Sequence, residues 1–205
     1  MGKRISGYTE KTLENVTTGA GVVFKNFDLA TDTVETARGK IISATSGGVK
    51  VKVEYPSAWH REIDGVPENS KGMYEREECK PTVTMGLVEI ASPQVLADAL
   101  GGAVVADADA PTGYKAITPK WDVDAADYLE NLTIVTTRKG SDDPLIIVID
   151  NPLSTEGFEL ATESKAGGGM EVTFTGNYDP LKLDQCPVHF YSIDTAATAA
   201  AAANA

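Results

Sequence analysis

Two cysteines and two histidines make up the whole thiol and imidazole chemistry of this chain: Cys79, Cys186, His60 and His189. A zinc site needs tetrahedral closure, usually by ligand pairs spaced C-x₂-C or H-x₃-H. Cys186 and His189 are three apart in a segment that reads as a strand, which sends them to opposite faces. Cys79 and His60 have no such pairing, so a metal centre is not expected. The cysteines lie far apart in sequence. A disulfide is one reading, and free buried thiols are the expected one for a chain without an export signal.

Nucleophilic catalysis has little to work with. Neither histidine sits in a nucleophile motif, and no carboxylate pair is marked for acid–base work. Gly167-Gly168-Gly169 lacks the spacing and following helix of a dinucleotide loop, and there is no phosphate-binding loop. Asp107 and Asp109 do not complete a calcium loop. Each of these reads as an ordinary loop or solvated face, and neither a cofactor nor an enzymatic activity is expected. Trp59 and Tyr74 stand in an otherwise polar stretch, which makes them candidate anchors for an interface or for packing back onto the parent domain.

Composition narrows the field further. The chain has 205 residues, 42% of them apolar, which is enough for one domain with a sizeable core. No run approaches the ~20 apolar residues that span a bilayer. Met1 to Tyr8 contains two basic residues with no hydrophobic stretch behind them, so a secretory signal is not expected and a reducing cytoplasm is. The formal charge is −12, the opposite of a surface that grips phosphate with Lys and Arg. Between residues 98 and 130 the acids Asp98, Asp107, Asp109, Asp122, Asp124, Asp127 and Glu130 face only Lys115 and Lys120. Solubility explains that surplus; a wall that lets polyanionic DNA pass without sticking is the sharper reading.

The elements follow from pattern. Residues 1–12 form a polar arm expected to be flexible until a neighbour orders it. Residues 13–194 read as a single β domain. A first strand spans 20–27. Two strand-like runs over 40–55 flank the Ser46-Gly47-Gly48 break, with Val49, Val51, Val53 and Tyr55 facing one way and Lys50, Lys52 and Glu54 the other. Residues 56–80 are a long charged excursion, punctuated by Pro56, Gly65, Pro67 and Gly72, that reads as an extended hairpin or a binding loop. Residues 81–90 read as a strand. Ser92 as cap, Pro93 at the first position and Gly101 at the end mark one short helix. Residues 103–127 look like loop. Hairpins are expected from 128–137 with 145–149 and from 157–162 with 170–176, and a last strand over 188–193. The alanine-rich tail, 195–205, is expected to be disordered. The fold class is therefore mainly β with one short α-helix, a β-sandwich or partly open barrel that completes a larger barrel on oligomerisation.

Four stretches carry a resemblance. Glu14 to Asp28, Ser43 to Val51, Arg61-Glu62-Ile63-Asp64-Gly65-Val66, and the strand-plus-helix Thr82–Leu100 resemble the major tail (tail tube) proteins of long-tailed, non-contractile bacteriophages. The resemblance covers roughly residues 8–102 and rests beyond that on strand order. It implies a structural virion protein, not an enzyme, that stacks hexameric rings into an acidic-lined conduit for DNA ejection. Strands of neighbouring subunits would join around the lumen, with the helix outside. The implied partners are copies of the chain itself, the tape measure, tail terminator and distal tail proteins, and DNA in transit without specific binding. No cofactor, metal or membrane is involved, and assembly takes place in the host cytoplasm. Carried onto this chain, the lumen-wall candidates are Lys50, Lys52, Glu54, Thr82, Thr84 and Glu89. The excursion at 56–80 would reach the adjacent ring and the arm at 8–20 a neighbour, with Val16, Phe24, Trp59, Arg61, Asp64, Lys71 and Tyr74 as interface candidates. The alternatives are a tube protein of a contractile tail or secretion-type apparatus, and a monomeric β-sandwich module that binds a surface polysaccharide or protein.

Overall fold

Runs of consecutive apolar residues in some strands and strict alternation in others divide the chain into two sheets with different duties. The computed structural model describes residues 6–9, 12, 16–17, 19, 21–106, 110–139, 141–161 and 169–193. The expectations for most of the N-terminal arm, for Asp107 and Asp109, for Gly167 and Gly168, and for the tail at 195–205 lie outside the described residues.

In chain order the strands are β1 (Val22–Lys25), β2 (Thr45–Glu54), β3 (Ala58–His60), β4 (Tyr74–Arg76) and β5 (Lys80–Leu87). The helix α1 (Pro93–Ala99) follows. After it come β6 (Ala103–Ala106), β7 (Ala116–Pro119), β8 (Asn131–Arg138), β9 (Ser141–Asp150), β10 (Leu153–Ala161), β11 (Gly169–Thr175) and β12 (Val188–Tyr191). The fold is mainly β with one short α-helix, as the sequence pattern indicates. One expected loop is not a loop: within 103–127, β6 and β7 pair as an antiparallel hairpin and Ala125–Asp127 forms a 3₁₀ turn.

The first sheet has the order β1-β8-β9-β12 and the second β10-β11-β5-β2, antiparallel throughout. They face one another across one core. Val23, Leu132, Ile134, Ile147 and Ile149 from the first sheet meet Val83, Met85, Leu87, Met170, Val172 and Phe174 from the second. In β8 the four successive residues Leu132, Thr133, Ile134 and Val135 are all buried, because both faces of this strand are covered. Its outer face lies under a segment that brings Phe27 and Ala37 against Phe24 and Val135. In β5 burial alternates residue by residue, so the second sheet is covered on its core face only.

The helix docks rather than standing alone. Val95 and Ala99 are buried against the core, and Lys25 Nζ lies 2.6 Å from Asp98 Oδ2, tying α1 to β1. Ser92 occupies the N-cap with extended backbone but its side chain makes no cap hydrogen bond. The carbonyl of Ser92 accepts from Leu96 N–H. Gly101 ends the helix with φ +65°, and a Cβ there would lie 1.9 Å from the Ser154 carbonyl oxygen. Only glycine fits this approach.

The cysteines correct the expectation of free thiols. Cys79 and Cys186 form a disulfide, with Cα atoms 5.6 Å apart and 107 residues between them in sequence. The chain after β11 folds back on the start of β5: Gly176 N–H donates to the Pro81 carbonyl, and the Tyr178 hydroxyl accepts from Cys79 N–H at 2.6 Å. This return brings Cys186 to Cys79 just ahead of β12, so the bond staples the two sheets. Sequence separation hides such a pairing.

Replacing both cysteines with serine should lower unfolding free energy by about 2–5 kcal/mol, because the cross-link closes a long loop; urea denaturation with and without reductant reads this. A second test concerns Lys120 and Asp127, 2.6 Å apart. The Lys120 ammonium, aided by Asp124 N–H, holds the Asp127 carboxyl below the usual carboxylate range. The stability this adds is present above the unfolded carboxylate value, about 3.9, and is lost as pH falls through the lower folded one. Carbon-detected NMR titration should find Asp127 ionising below ordinary aspartate, and Lys120→Met should move it back up.

Candidate functional site

The second sheet leaves one face bare and both its edges, β2 and β10, without a further strand among the described residues; β12 ends the first sheet in the same way. The rows across the face follow from strand register. Lys50 is opposite Thr84, which is opposite Thr173; Lys52 is opposite Thr82, which is opposite Thr175; Glu54 is opposite Lys80. A further row joins Gly86, Glu171 and Glu159. The hydroxyls of Thr84 and Thr173 hydrogen-bond at 3.0 Å, and Lys52 Nζ lies 2.7 Å from Glu54 Oε1. That contact holds the exposed Glu54 carboxyl below its ordinary range. The result is a surface of threonines and charges of both signs.

Five of the lumen-wall candidates therefore share one face: Lys50, Lys52, Glu54, Thr82 and Thr84. Glu89 does not. It lies beyond the end of β5, where its N–H donates to Ser43 Oγ, because the strand stops at Leu87 and the chain turns toward α1. Charge on this face is mixed. Lys50, Lys52 and Lys80 balance Glu54, Glu159 and Glu171 on this face, while Asp98, Asp124 and Asp127 sit on α1 and the 3₁₀ turn.

Both edges of the sheet carry an irregularity. In β2 the register shifts between Ser46 and Val49, where Gly47 and Gly48 take φ near +82° and +86°. The partner strand has glycine opposite, since a Cβ at Gly86 would meet the Ser46 carbonyl oxygen at 2.7 Å. In β10 the shift lies between Ser154 and Phe158 around Gly157. Bulges of this kind interrupt an edge that would otherwise be a flat template for pairing. The Gly101 turn abuts β10 at Ser154, so the regular edge left on β10 is Phe158–Ala161; on β2 it is Val49–Glu54.

The excursion at 56–80 is a hairpin at its base, with β3 paired to β4. Trp59 is 43% and Tyr74 48% exposed, and their register places them on opposite faces of it. Trp59 Nε1 donates to Glu77 Oε1 at 2.9 Å and Arg61 pairs with Glu75 at 2.6 Å. The Arg76 guanidinium lies 3.9 Å from the Tyr55 ring centre, a cation–π contact that stiffens the base. Asp64 and Lys71 are exposed near the tip. Phe24 is not an interface residue: it is fully buried, its ring 5.2 Å from that of Phe27. Val16 is exposed, but its carbonyl accepts from Lys139 N–H, which ties it to the end of β8 in the same chain.

Among the described residues no group of three or more His, Cys, Asp or Glu converges to hold a metal. His189 Nε2 and Asp150 Oδ2 are 3.0 Å apart, but no Ser, Thr or Cys lines the cleft of about 290 Å³ beside them. The sequence carries no sign that β10 and β2 are opposite edges of one sheet. Gly86 and the Gly47-Gly48 pair were the available signals for the bulge.

Gly86→Ala should cost about 1–3 kcal/mol, because the new methyl meets backbone that must shift; equilibrium unfolding measures it. No family model and no curated protein sequence matches this chain.

Proposed function

We propose that this chain is a structural subunit that assembles with copies of itself into rings stacked as a tube, as the major tail proteins of long-tailed bacteriophages do. One observation carries this reading: the sheet with the bare polar face also has two edges, β2 and β10, that pair with no further strand among the described residues. With four alternating strands the two edges run in opposite directions, so a copy placed beside the first by rotation alone meets it antiparallel. The joint uses a different edge from each partner. Such head-to-tail contacts propagate until they close into a ring, and closure leaves neither edge of this sheet open.

The bare face suits the inside of such a tube. A groove that grips DNA neutralises phosphates with unopposed Lys and Arg; here Lys50, Lys52 and Lys80 share the face with Glu54, Glu159 and Glu171. Threonine hydroxyls give a wetted wall without a net charge of either sign. The β3–β4 hairpin, with Trp59 and Tyr74 exposed, is the element of the described residues suited to reach a neighbouring ring. The acidic surplus elsewhere serves solubility of the free subunit.

The test is a concentration series of purified protein by analytical ultracentrifugation and negative-stain microscopy. Rings or hollow tubes are expected as concentration rises. A strictly monomeric species up to the solubility limit, in low and physiological salt, overturns the proposal.

A further inference from the structure

We infer that the joint between copies has one register, with Phe158–Ala161 of β10 paired to Lys50–Val53 of the next copy's β2 and Glu159 directly opposite Lys52. This rests on the tube reading above and specifies which residues meet.

Three constraints select the register. First, both strands must keep their faces: Phe158 points to the core side with Val172, as Val51 and Val53 do with Val83 and Pro81, so Phe158 must oppose an odd-numbered β2 residue. Second, the regular edge of β10 is only four residues long, and all four pair with regular β2 only if Phe158 opposes Val53 or Val51 opposes Leu160. These are the same register. Moving two residues one way brings the Gly48 bulge into the joint; moving two the other way puts Glu159 against Glu54. Third, Glu159 sits directly opposite Glu171 within its own sheet, and no ion pair with either is among those found in the described residues. Like charges directly opposite are destabilising. Lys52 of the next copy, whose partner within its own chain is the exposed Glu54, brings a cation beside Glu159, and Leu160, 48% exposed in the isolated chain, gains Val51 as its cover.

The handedness of the sheet agrees. Val88 N–H donates to the Ala44 carbonyl and Gly176 N–H to that of Pro81. Even-numbered β5 residues therefore aim their main-chain groups at β2 and odd-numbered ones at β11. The even-numbered residues also carry the polar face. For L-residues this fixes the view: seen from the core side with β5 running upward, β2 is on the left and β10 on the right. Right-twisted strands coil right-handedly around a barrel. With the polar face inward, a line drawn across the strands to the right descends and reaches the next β2 below the level at which it left β10. The chosen register needs that descent. Phe158 is level with Met85 through Val172, whereas Val53 is level with Pro81, four residues lower. Four residues at about 3.3 Å each, across four strands about 4.8 Å apart, give a strand tilt of about 35°, within the range of closed barrels. With the polar face outward the descent would run the wrong way.

The experiment uses the full chain and four variants. Glu159→Lys should leave thermal stability unchanged or raised, since it relieves the contact with Glu171, while raising the concentration needed for assembly about fivefold. Lys52→Glu should weaken assembly similarly, and the double swap should restore it to within about twofold of the parent. Glu159→Cys combined with Lys52→Cys should give a covalent ladder on mild oxidation, because a non-hydrogen-bonded antiparallel pair has the Cα separation a disulfide needs. Tubes that form normally with no ladder and no rescue by the swap overturn the register and leave the tube reading standing. A parent protein that never assembles overturns both.

Discussion

Main-chain N–H and C=O groups at a sheet edge must find partners in water or in another strand, and this fold concentrates that demand on one sheet. The first sheet is covered over both faces of its central strands and along β1, and β12 is its one edge without a further strand among the described residues. The Phe24–Phe27 cluster closes its outer side, and Ile42 N–H bonds to the Val23 carbonyl along the edge of β1. The second sheet has neither a covered outer face nor a covered pair of edges. Bulges at Gly47-Gly48 and Gly157 shorten those edges without removing them. One regular stretch is left on each side, Val49–Glu54 and Phe158–Ala161.

Several local devices hold this sheet at a fixed place on the sandwich. The Cys79–Cys186 bond and the Gly176–Pro81 hydrogen bond fasten one end of it to the approach to β12. Asn151 and Asn177 exchange side-chain amide to main-chain carbonyl bonds at 3.2 and 3.0 Å between the two connections that follow β9 and β11. At the other side α1 is anchored to β1 through Lys25 and Asp98, and its glycine terminus presses on β10. In the proposed assembly, rigid edges limit the conformational entropy lost at the joint.

Charge is distributed by location rather than spread evenly. The chain is strongly acidic overall, yet the bare face holds Lys50, Lys52 and Lys80 beside Glu54, Glu159 and Glu171. The acids around residues 98–130 instead serve the fold where they are described, pairing with Lys25 and Lys120 or capping the 3₁₀ turn at Asp124. Net charge therefore says little about the surface that a passing polyanion would meet. Proximity governs that interaction, since screening confines it to roughly 8 Å at physiological salt.

Much of the fold was legible because it depends on short-range pattern. Alternation over Val49–Glu54, the runs that became β8 and β9, the Ser92-Pro93 start and the Gly101 stop all fix local geometry from neighbouring residues alone. The β6–β7 hairpin was missed because Ala103–Ala106 and Ala116–Pro119 lack alternation and flank an acidic, turn-rich stretch. Phe24 was misplaced for a different reason: periodicity gives the face of a residue but not what covers that face. The disulfide joins residues too distant for spacing to report, and the identity of the two edge strands depends on which strands pair, which no local signal encodes. Local pattern is enough to make this protein mainly β, to set where its strands turn and to say which side chains share a face. Which face stays bare and which edges stay open are properties of long-range pairing, set when distant strands compete for the same main-chain partners, and they emerge with the folded sheets.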